Sequence, residues 1–273
     1  MDLTAYFGRV GYRGVADPTL DVLRALVTAH TRTIPFENLD PAYGLPVDDL
    51  SSDALLDKLV HRRRGGYCYE HNGLMGYVLE GLGFGVRRLA ARVLWMLPPE
   101  APTPAQTHTL LDVTVPGTDG SYLVDVGFGG QTPTAPLRFD VGAVQETPHG
   151  PYRIGEDGPR LILQTQMREQ WQPLYEFGTE ARPPVDLQVG SWFVSTHPGS
   201  HFVTGLMVAL VAEDARVNLM GRSLTVHGPA GTEKIMLDDA AAVVDALRDR
   251  FGINVADLGE RGRLEGHIAR LLF

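Results

Sequence analysis

The chain has 273 residues, 44% hydrophobic and 21% charged, with a formal net charge of −9. That mix is ordinary for a globular protein with a sizeable core, built as one large domain or a few small ones. The acidic balance argues against a general nucleic-acid binder, and the single cysteine argues against a disulfide-stapled secreted fold.

The opening stretch, Met1-Asp2-Leu3-Thr4-Ala5-Tyr6, has no basic segment followed by an apolar run, so no signal peptide is expected. The apolar stretches fall well short of the ~20 residues a membrane helix needs. The expectation is a cytoplasmic protein.

The first third reads as helical. Asp17-Pro18 is a cap followed by proline at a first helical position, and Leu20, Leu23, Leu26 and Val27 make one apolar face. A break follows over Ile34-Pro35-Phe36-Glu37-Asn38-Leu39-Asp40-Pro41. Ser51 or Ser52 opens a second helix with Leu55, Leu56, Leu59 and Val60 inward. A third runs from Cys68 through Leu74, Tyr77, Val78 and Leu82 to a stop at Gly83.

From Val86 the texture becomes strand-like. Arg88 to Met96 is one strand, followed by a proline-rich loop over Leu97–Pro104. His108 to Val115 and Ser121 to Val126 flank Pro116-Gly117-Thr118-Asp119-Gly120, a strong hairpin signal. Further strands are expected at Tyr152–Ile154, Arg160–Gln166 and Trp171–Phe177, completing an antiparallel sheet or small barrel. Ala181-Arg182-Pro183-Pro184 is the candidate linker. Beyond it, Val208–Ala212, Arg216–Met220 and Ser223–Val226 read as strands. Asp238 caps a helix with Val243, Val244, Leu247 and Phe251 inward, Gly252 ends it, and Leu264–Leu272 forms a terminal helix.

The chemistry centres on Arg64-Gly65-Gly66-Tyr67-Cys68-Tyr69-Glu70-His71-Asn72. A lone thiol makes neither an internal disulfide nor a thiolate-rich metal site. It is a buried apolar filler or a nucleophile, and most free cysteines are inert. The paired glycines, the basic run His61-Arg62-Arg63-Arg64 and the predicted helix start favour the nucleophile. In a first helical turn, unpaired N–H groups and the positive dipole end stabilise a thiolate, and the same N–H groups serve an oxyanion.

A cysteine nucleophile needs a base, and the base needs an orienting group. His71 follows the helix surface and reads as a solvated or packing residue. His108 stands where the proline-rich loop meets a strand, and Asp125 lies in the apolar run Leu123-Val124-Asp125-Val126-Gly127-Phe128-Gly129-Gly130. An acid there is costly to bury without a partner, and His108 is the candidate partner. A symmetric hairpin pairs Asp125 with Leu111 instead, ~10 Å along the strand from His108. A bulge, a different register or another pairing must close that gap. Gly127-Phe128-Gly129-Gly130 matches no glycine-rich nucleotide fingerprint.

The cysteine segment resembles the active-site motif of the arylamine N-acetyltransferases. Tyr6-Phe7-Gly8-Arg9-Val10-Gly11-Tyr12, Ile34-Pro35-Phe36-Glu37-Asn38-Leu39, Thr107-His108, Val124–Gly129 and Ser195-Thr196-His197-Pro198-Gly199-Ser200-His201-Phe202 are similar to further motifs of that family, in the same order. The likeness spans most of the chain and is especially similar to actinobacterial members. One departure is His71, where other residues are common.

The resemblance implies an α+β fold with a cysteine-protease or transglutaminase-like core: a helical bundle (residues 1–85), a central antiparallel β-barrel (86–184) and an α/β lid (185–273). It implies a Cys68, His108 and Asp125 triad and ping-pong acetyl transfer from acetyl-CoA to an arylamine or hydrazine nitrogen, with no metal. It further implies an acceptor pocket of Tyr69, Val93, Phe128 and Phe202, CoA contacts at Thr107, Gly127 and Gly129, and a structural Arg64–Glu37 pair. An amide synthase and a thiol hydrolase share such a triad, and a ligand-binding protein with an inert Cys68 is the non-enzymatic alternative. No heptad or interface helix sets an oligomeric state.

Overall fold

The computed structural model describes residues 2–98 and 100–272. Pro99, in the expected proline-rich loop, and Met1, in the stretch read for a leader, lie outside the described residues.

Helix α1 (Leu3–Val10) is capped by Asp2, whose carboxylate accepts from Ala5 N. Helix α2 (Leu20–Thr33) starts later than the Asp17-Pro18 cue, because the Thr19 hydroxyl accepts from Val22 N and takes over as cap. A short strand β1 (Phe36–Glu37) and helix α3 (Leu39–Ala42) fill the expected break. Helix α4 (Ser52–Leu56) is capped by Ser51 and widens into a π turn over Asp57–His61. Helix α5 (Cys68–Leu82) ends where Gly83 takes a left-handed φ of 94°. Tyr6, Leu23, Leu26, Leu59, Leu74 and Val78 pack together and against Leu111, Val113 and Val124 of the neighbouring sheet.

That sheet contains β2 (Gly85–Val93), β3 (Gln106–Thr114), β4 (Tyr122–Val124), β5 (Leu137–Arg138), β6 (Val144–Thr147), β7 (Gly150–Asp157), β8 (Arg160–Met167) and β9 (Gln170–Phe177). The order is β5-β4-β3-β2-β9-β8-β7-β6, antiparallel throughout. Its two edges meet through a side chain. Gln145 Oε1 accepts from Arg138 N at 2.7 Å and Gln145 Nε2 donates to Arg138 O at 2.8 Å. An amide thus stands in for the missing backbone pairing and leaves a nearly closed barrel. The first strand begins at Gly85 and stops at Val93, earlier at both ends than the expected Arg88–Met96.

The linker runs into α6 (Pro184–Thr196), followed by α7 (His201–Thr204), β10 (Met207–Val211), β11 (Arg216–Met220), β12 (Ser223–Gly228), β13 (Gly231–Met236), α8 (Ala240–Asp249) and α9 (Arg261–Leu272). Asp239 rather than Asp238 caps α8, accepting from Ala242 N. The second sheet has the order β1-β10-β11-β12-β13, so the N-terminal helical region contributes its edge strand through Phe36↔Ala209. The architecture is α+β, as expected. Among the described residues no helix is long and apolar enough to cross a membrane.

Candidate active site

Cys68 is the first residue of α5 and is 3% exposed. The loop before it is fixed by buried charge. Arg64 Nη2 meets Glu37 at 2.8 Å and Asp40 at 2.8 Å, and Lys58 Nζ meets Asp40 and Glu70, each at 2.6 Å. Glu70 Oε2 in turn accepts from Tyr67 N at 3.0 Å, closing the helix start. The expected Arg64–Glu37 pair is therefore present, and Arg64 is buried although it belongs to a basic run. Desolvation works against the Arg64 cation, but Glu37 and Asp40 overcome it and hold it more firmly protonated than a free guanidinium.

A bulge presents the base. The β2–β3 register pairs Ala91 with His108 and Arg92 with Gln106, leaving Thr107 unpaired. The Thr107 carbonyl then points at the thiol, with Cys68 Sγ 3.6 Å away. Across β3, Leu111 pairs with Val124, one residue off the symmetric hairpin. This shift decides the geometry. It carries Asp125 and His108 to the same face of the sheet, whereas the symmetric register would put them on opposite faces. Beyond the end of β4, Asp125 Oδ2 lies 2.7 Å from His108 Nε2. The Cys68 side chain also interacts with His108 and favours its charged form.

Burial alone would push the His108 imidazolium toward losing its proton. The Asp125 carboxylate, with help from Cys68, outweighs that and raises the pKa to about 10. Burial likewise opposes the Asp125 charge, but His108, Asn72 and the Gly127 N–H keep its pKa below the ordinary value.

Asn72, absent from the sequence-based site, is wholly buried and ties the parts together. Its Nδ2 donates to Thr109 O at 2.7 Å and Asp125 Oδ1 at 2.9 Å. Its position one helical turn after Cys68 was the available signal. Arg216 was also missed. From β11 it donates to Thr132 O at 3.0 Å and to Tyr152 Oη at 2.9 Å, while Thr132 Oγ1 donates to Asp125 O at 2.8 Å. The second sheet therefore braces the aspartate loop.

His71 is not solvated but buried, in a chain with His30. His71 Nε2 faces Pro35 O at 3.1 Å, His71 Nδ1 faces His30 Nε2 at 2.8 Å, and His30 Nδ1 faces Tyr6 Oη at 3.1 Å. A carbonyl only accepts, so the donors are ordered Tyr6→His30→His71→Pro35 with both imidazoles neutral. Burial holds both pKa values down, that of His71 at about 4.

A mainly apolar cavity of about 390 Å³ opens beside Cys68 and His108. Val93, Phe128 and Phe202 line it, as do Thr107, Gly127 and Gly129, joined by Phe36, Trp95 and Met220. Asn38 positions Phe202 by donating to its carbonyl at 2.8 Å. Tyr69 lies outside this lining. Its ring faces α6, and it borders a separate cavity of about 270 Å³ along α5. Gly127 sits so close to α5 that a Cβ on it would meet Cys68 Cα at 2.8 Å. Among the described residues no cluster of side chains forms a metal site.

A family model described as N-acetyltransferase matches residues 19–259. The Mycobacterium tuberculosis arylamine N-acetyltransferase is 66% identical over 272 residues, covering 100% of this chain and 96% of that protein. The chain belongs to the arylamine N-acetyltransferase family. The solved Mycobacterium marinum arylamine N-acetyltransferase superposes with a TM-score of 0.98 at 69% identity, covering 100% of both chains. A structure of the M. marinum enzyme in complex with CoA superposes equally well, at 0.98 and 68% identity over both full chains. The actinobacterial character expected of this N-acetyltransferase is thus borne out, as is its fold.

Proposed function

We propose that the protein moves an acetyl group from acetyl-CoA, through acetyl-Cys68, to the nitrogen of an arylamine or hydrazine. The observation that carries this reading is the 2.7 Å contact between His108 Nε2 and Asp125 Oδ2, beside a cysteine at a helix start. Family membership supports the transferase over the amide-synthase and thiol-hydrolase alternatives, and the CoA-bound relative supports the donor.

In the first half-reaction the Cys68 thiolate attacks the thioester carbonyl. Free N–H groups in the first turn of α5 are the source of oxyanion stabilisation. The Sγ–C bond forms, the thioester C–S bond breaks, and the CoA sulfur takes a proton from His108. In the second half-reaction the amine attacks acetyl-Cys68, the N–C bond forms, the Sγ–C bond breaks, and the amine proton passes to His108. Asp125 holds the imidazole orientation and balances its charge throughout.

The apolar walls supplied by Val93, Phe128 and Phe202 suit flat aromatic acceptors. Thr107, Gly127 and Gly129 are assigned to the CoA side of the same cavity. A division at residues 85/86 and 184/185 falls within one residue of the starts of β2 and α6, although the helical core continues into β3 and β4. Such acceptors belong to the handling of foreign nitrogen compounds, and a reduced thiol fits a cytoplasmic setting.

Intact-protein mass spectrometry after brief exposure to acetyl-CoA tests the reading. One added acetyl group on wild type and none on Cys68→Ser, discharged by an arylamine, is the expected result. A folded, thiol-reactive wild type that gains no acetyl group would overturn it.

A further inference from the structure

Tyr69 belongs to the nucleophile segment, yet it is not among the walls of the cavity beside Cys68. It lines instead the second cavity, of about 270 Å³, on another side of α5. This space lies between α5, strands β2 and β3 and the first turn of α6. Its floor is buried and includes Asn72 and Thr109, and its mouth is marked by the exposed Gln188. The two cavities have no lining residue in common.

Size and walls together define what fits. An apolar cavity of about 150 Å³ takes benzene. A space of about 270 Å³ therefore has room for two fused rings. Leu50, Leu111 and Leu187 give aliphatic walls, and Tyr69 and Tyr77 add aromatic ones. Such a lining suits a flat apolar body. The polar groups are few and unspent. The hydroxyls of Tyr69 and Tyr77 and the side-chain amide of Gln188 make no hydrogen bond among the described residues. A few polar groups on an apolar wall fix the orientation of a ligand.

The charge at the wall is already balanced. Arg88 donates to both carboxylate oxygens of Glu80, at 2.6 and 3.1 Å, and its guanidinium carbon stands 4.9 Å over the Tyr77 ring. An anionic ligand would have to draw Arg88 out of that pair. A cationic one would meet no carboxylate, since neither Asp nor Glu is among the lining residues. Burying an unpaired charge is costly, so the walls select a neutral molecule.

We infer that this cavity is a second binding site, for a neutral bicyclic aromatic molecule with one hydrogen-bonding edge. It goes beyond the acetyl-transfer reading and does not depend on it, because occupancy needs neither Cys68 nor a CoA thioester. Acceptor and second ligand bind at the same time, on different sides of α5.

The experiment titrates the full chain with 2-naphthol, without acyl donor, and follows leucine and valine methyl groups by carbon-13 NMR. Saturable shifts are expected at Leu50, Leu111 and Leu187. Carboxamidomethylation of Cys68, which fills the other cavity, is expected to leave the dissociation constant within about twofold. 2-Naphthoate, the anionic counterpart of similar size, is expected to bind roughly 10-fold more weakly or worse. Gln188→Trp puts a large side chain at the mouth from an exposed position and is expected to weaken 2-naphthol by roughly 10-fold or more. Its remaining methyl spectrum shows whether it is folded, and the alkylation arm needs no variant. Shifts confined to Val93, or no saturable shift at the three leucines up to the solubility limit, overturn the inference. So does loss of binding on alkylation, equal affinity for 2-naphthoate, or unchanged affinity in folded Gln188→Trp. Failure of the acetyl-transfer reading would show separately, as a wild type that acetyl-CoA never acetylates.

Discussion

Asn72 donates from Nδ2 to Asp125 Oδ1 at 2.9 Å, while its own Oδ1 accepts from the N–H of the next residue, Val126, at 3.0 Å. One side chain on the nucleophile's helix therefore grips both the carboxylate and the backbone that carries it. Truncating it leaves Val126 N and Thr109 O without that partner in a buried place, at about 1–3 kcal/mol for each unsatisfied group. Asn72→Ala is expected to lower the urea midpoint and to reduce kcat/KM by roughly 10- to 100-fold. A variant with full activity at wild-type stability would contradict this. Asn72→Asp is expected to be worse for activity, because it sets a second carboxylate against Asp125.

Gly127 leaves no room for a side chain. In Gly127→Ala the new Cβ would stand 2.8 Å from Cys68 Cα and 3.1 Å from Asn72 Nδ2. Backbone must shift, at a cost of about 1–3 kcal/mol. Thiol alkylation by iodoacetamide is expected to slow along with acetylation, since the displaced element carries the thiol itself. Unchanged alkylation with slowed acetylation would instead mark Gly127 as a contact of the donor alone.

Cys68→Ser is expected to abolish transfer while the thermal midpoint stays close to wild type, as the exchange touches only the contact to Thr107 O and the interaction with His108. His108→Ala removes the imidazolium partner. An unassisted thiol is only a few per cent ionised at pH 7, so alkylation at neutral pH is expected to slow by roughly 10-fold or more. An unchanged alkylation rate would take His108 out of the pair.

Stability should fall on both sides of neutrality, for opposite reasons. His71 has a folded-state pKa depressed to about 4, so between about 6.5 and 4 the unfolded chain binds more protons, and the lowered value of His30 acts in the same direction. Stability there declines as pH falls, by at most about 1.4 kcal/mol per pH unit for each histidine. His108 has a raised value, so its contribution is complete below about 6.5 and fades as pH climbs through about 10. His71→Gln cannot titrate and is expected to flatten the acid limb, whatever it does to stability at pH 7. Urea melts at pH 4.5, 5.5 and 7 measure the slope; an equally steep acid limb in the variant would exclude His71 as its source.

The helix behind Cys68 was legible because its apolar residues recur at helical spacing and a glycine stops it. Helix α6 was not. Its buried face mixes Leu187 and Val194 with Ser191 and Ser195, while Val189 and Trp192 are exposed, so no apolar stripe appears in the sequence. Strand β13 is exposed along its whole length and exists through its pairing with β12. In the site, the identities of Cys68, His108 and Asp125 could be read, but the register that unites them could not. It turns on a one-residue shift and the bulge at Thr107, neither of which leaves a mark in hydrophobic periodicity. The buried role of His71 was equally hidden, since its partner His30 lies far away in the chain.

The strand β1 has a consequence for how molecules enter and leave. On one side Phe36 and Glu37 pair with β10; on the other, Glu37 N donates to Gly66 O at 2.7 Å, two residues before the thiol. The C-terminal layer and the nucleophile loop are thereby clamped to a shared bar only two residues long. Swinging the layer away would tear at the loop that holds Cys68. Spent CoA and incoming amine would therefore trade places through the mouth of the pocket with the C-terminal layer kept in place.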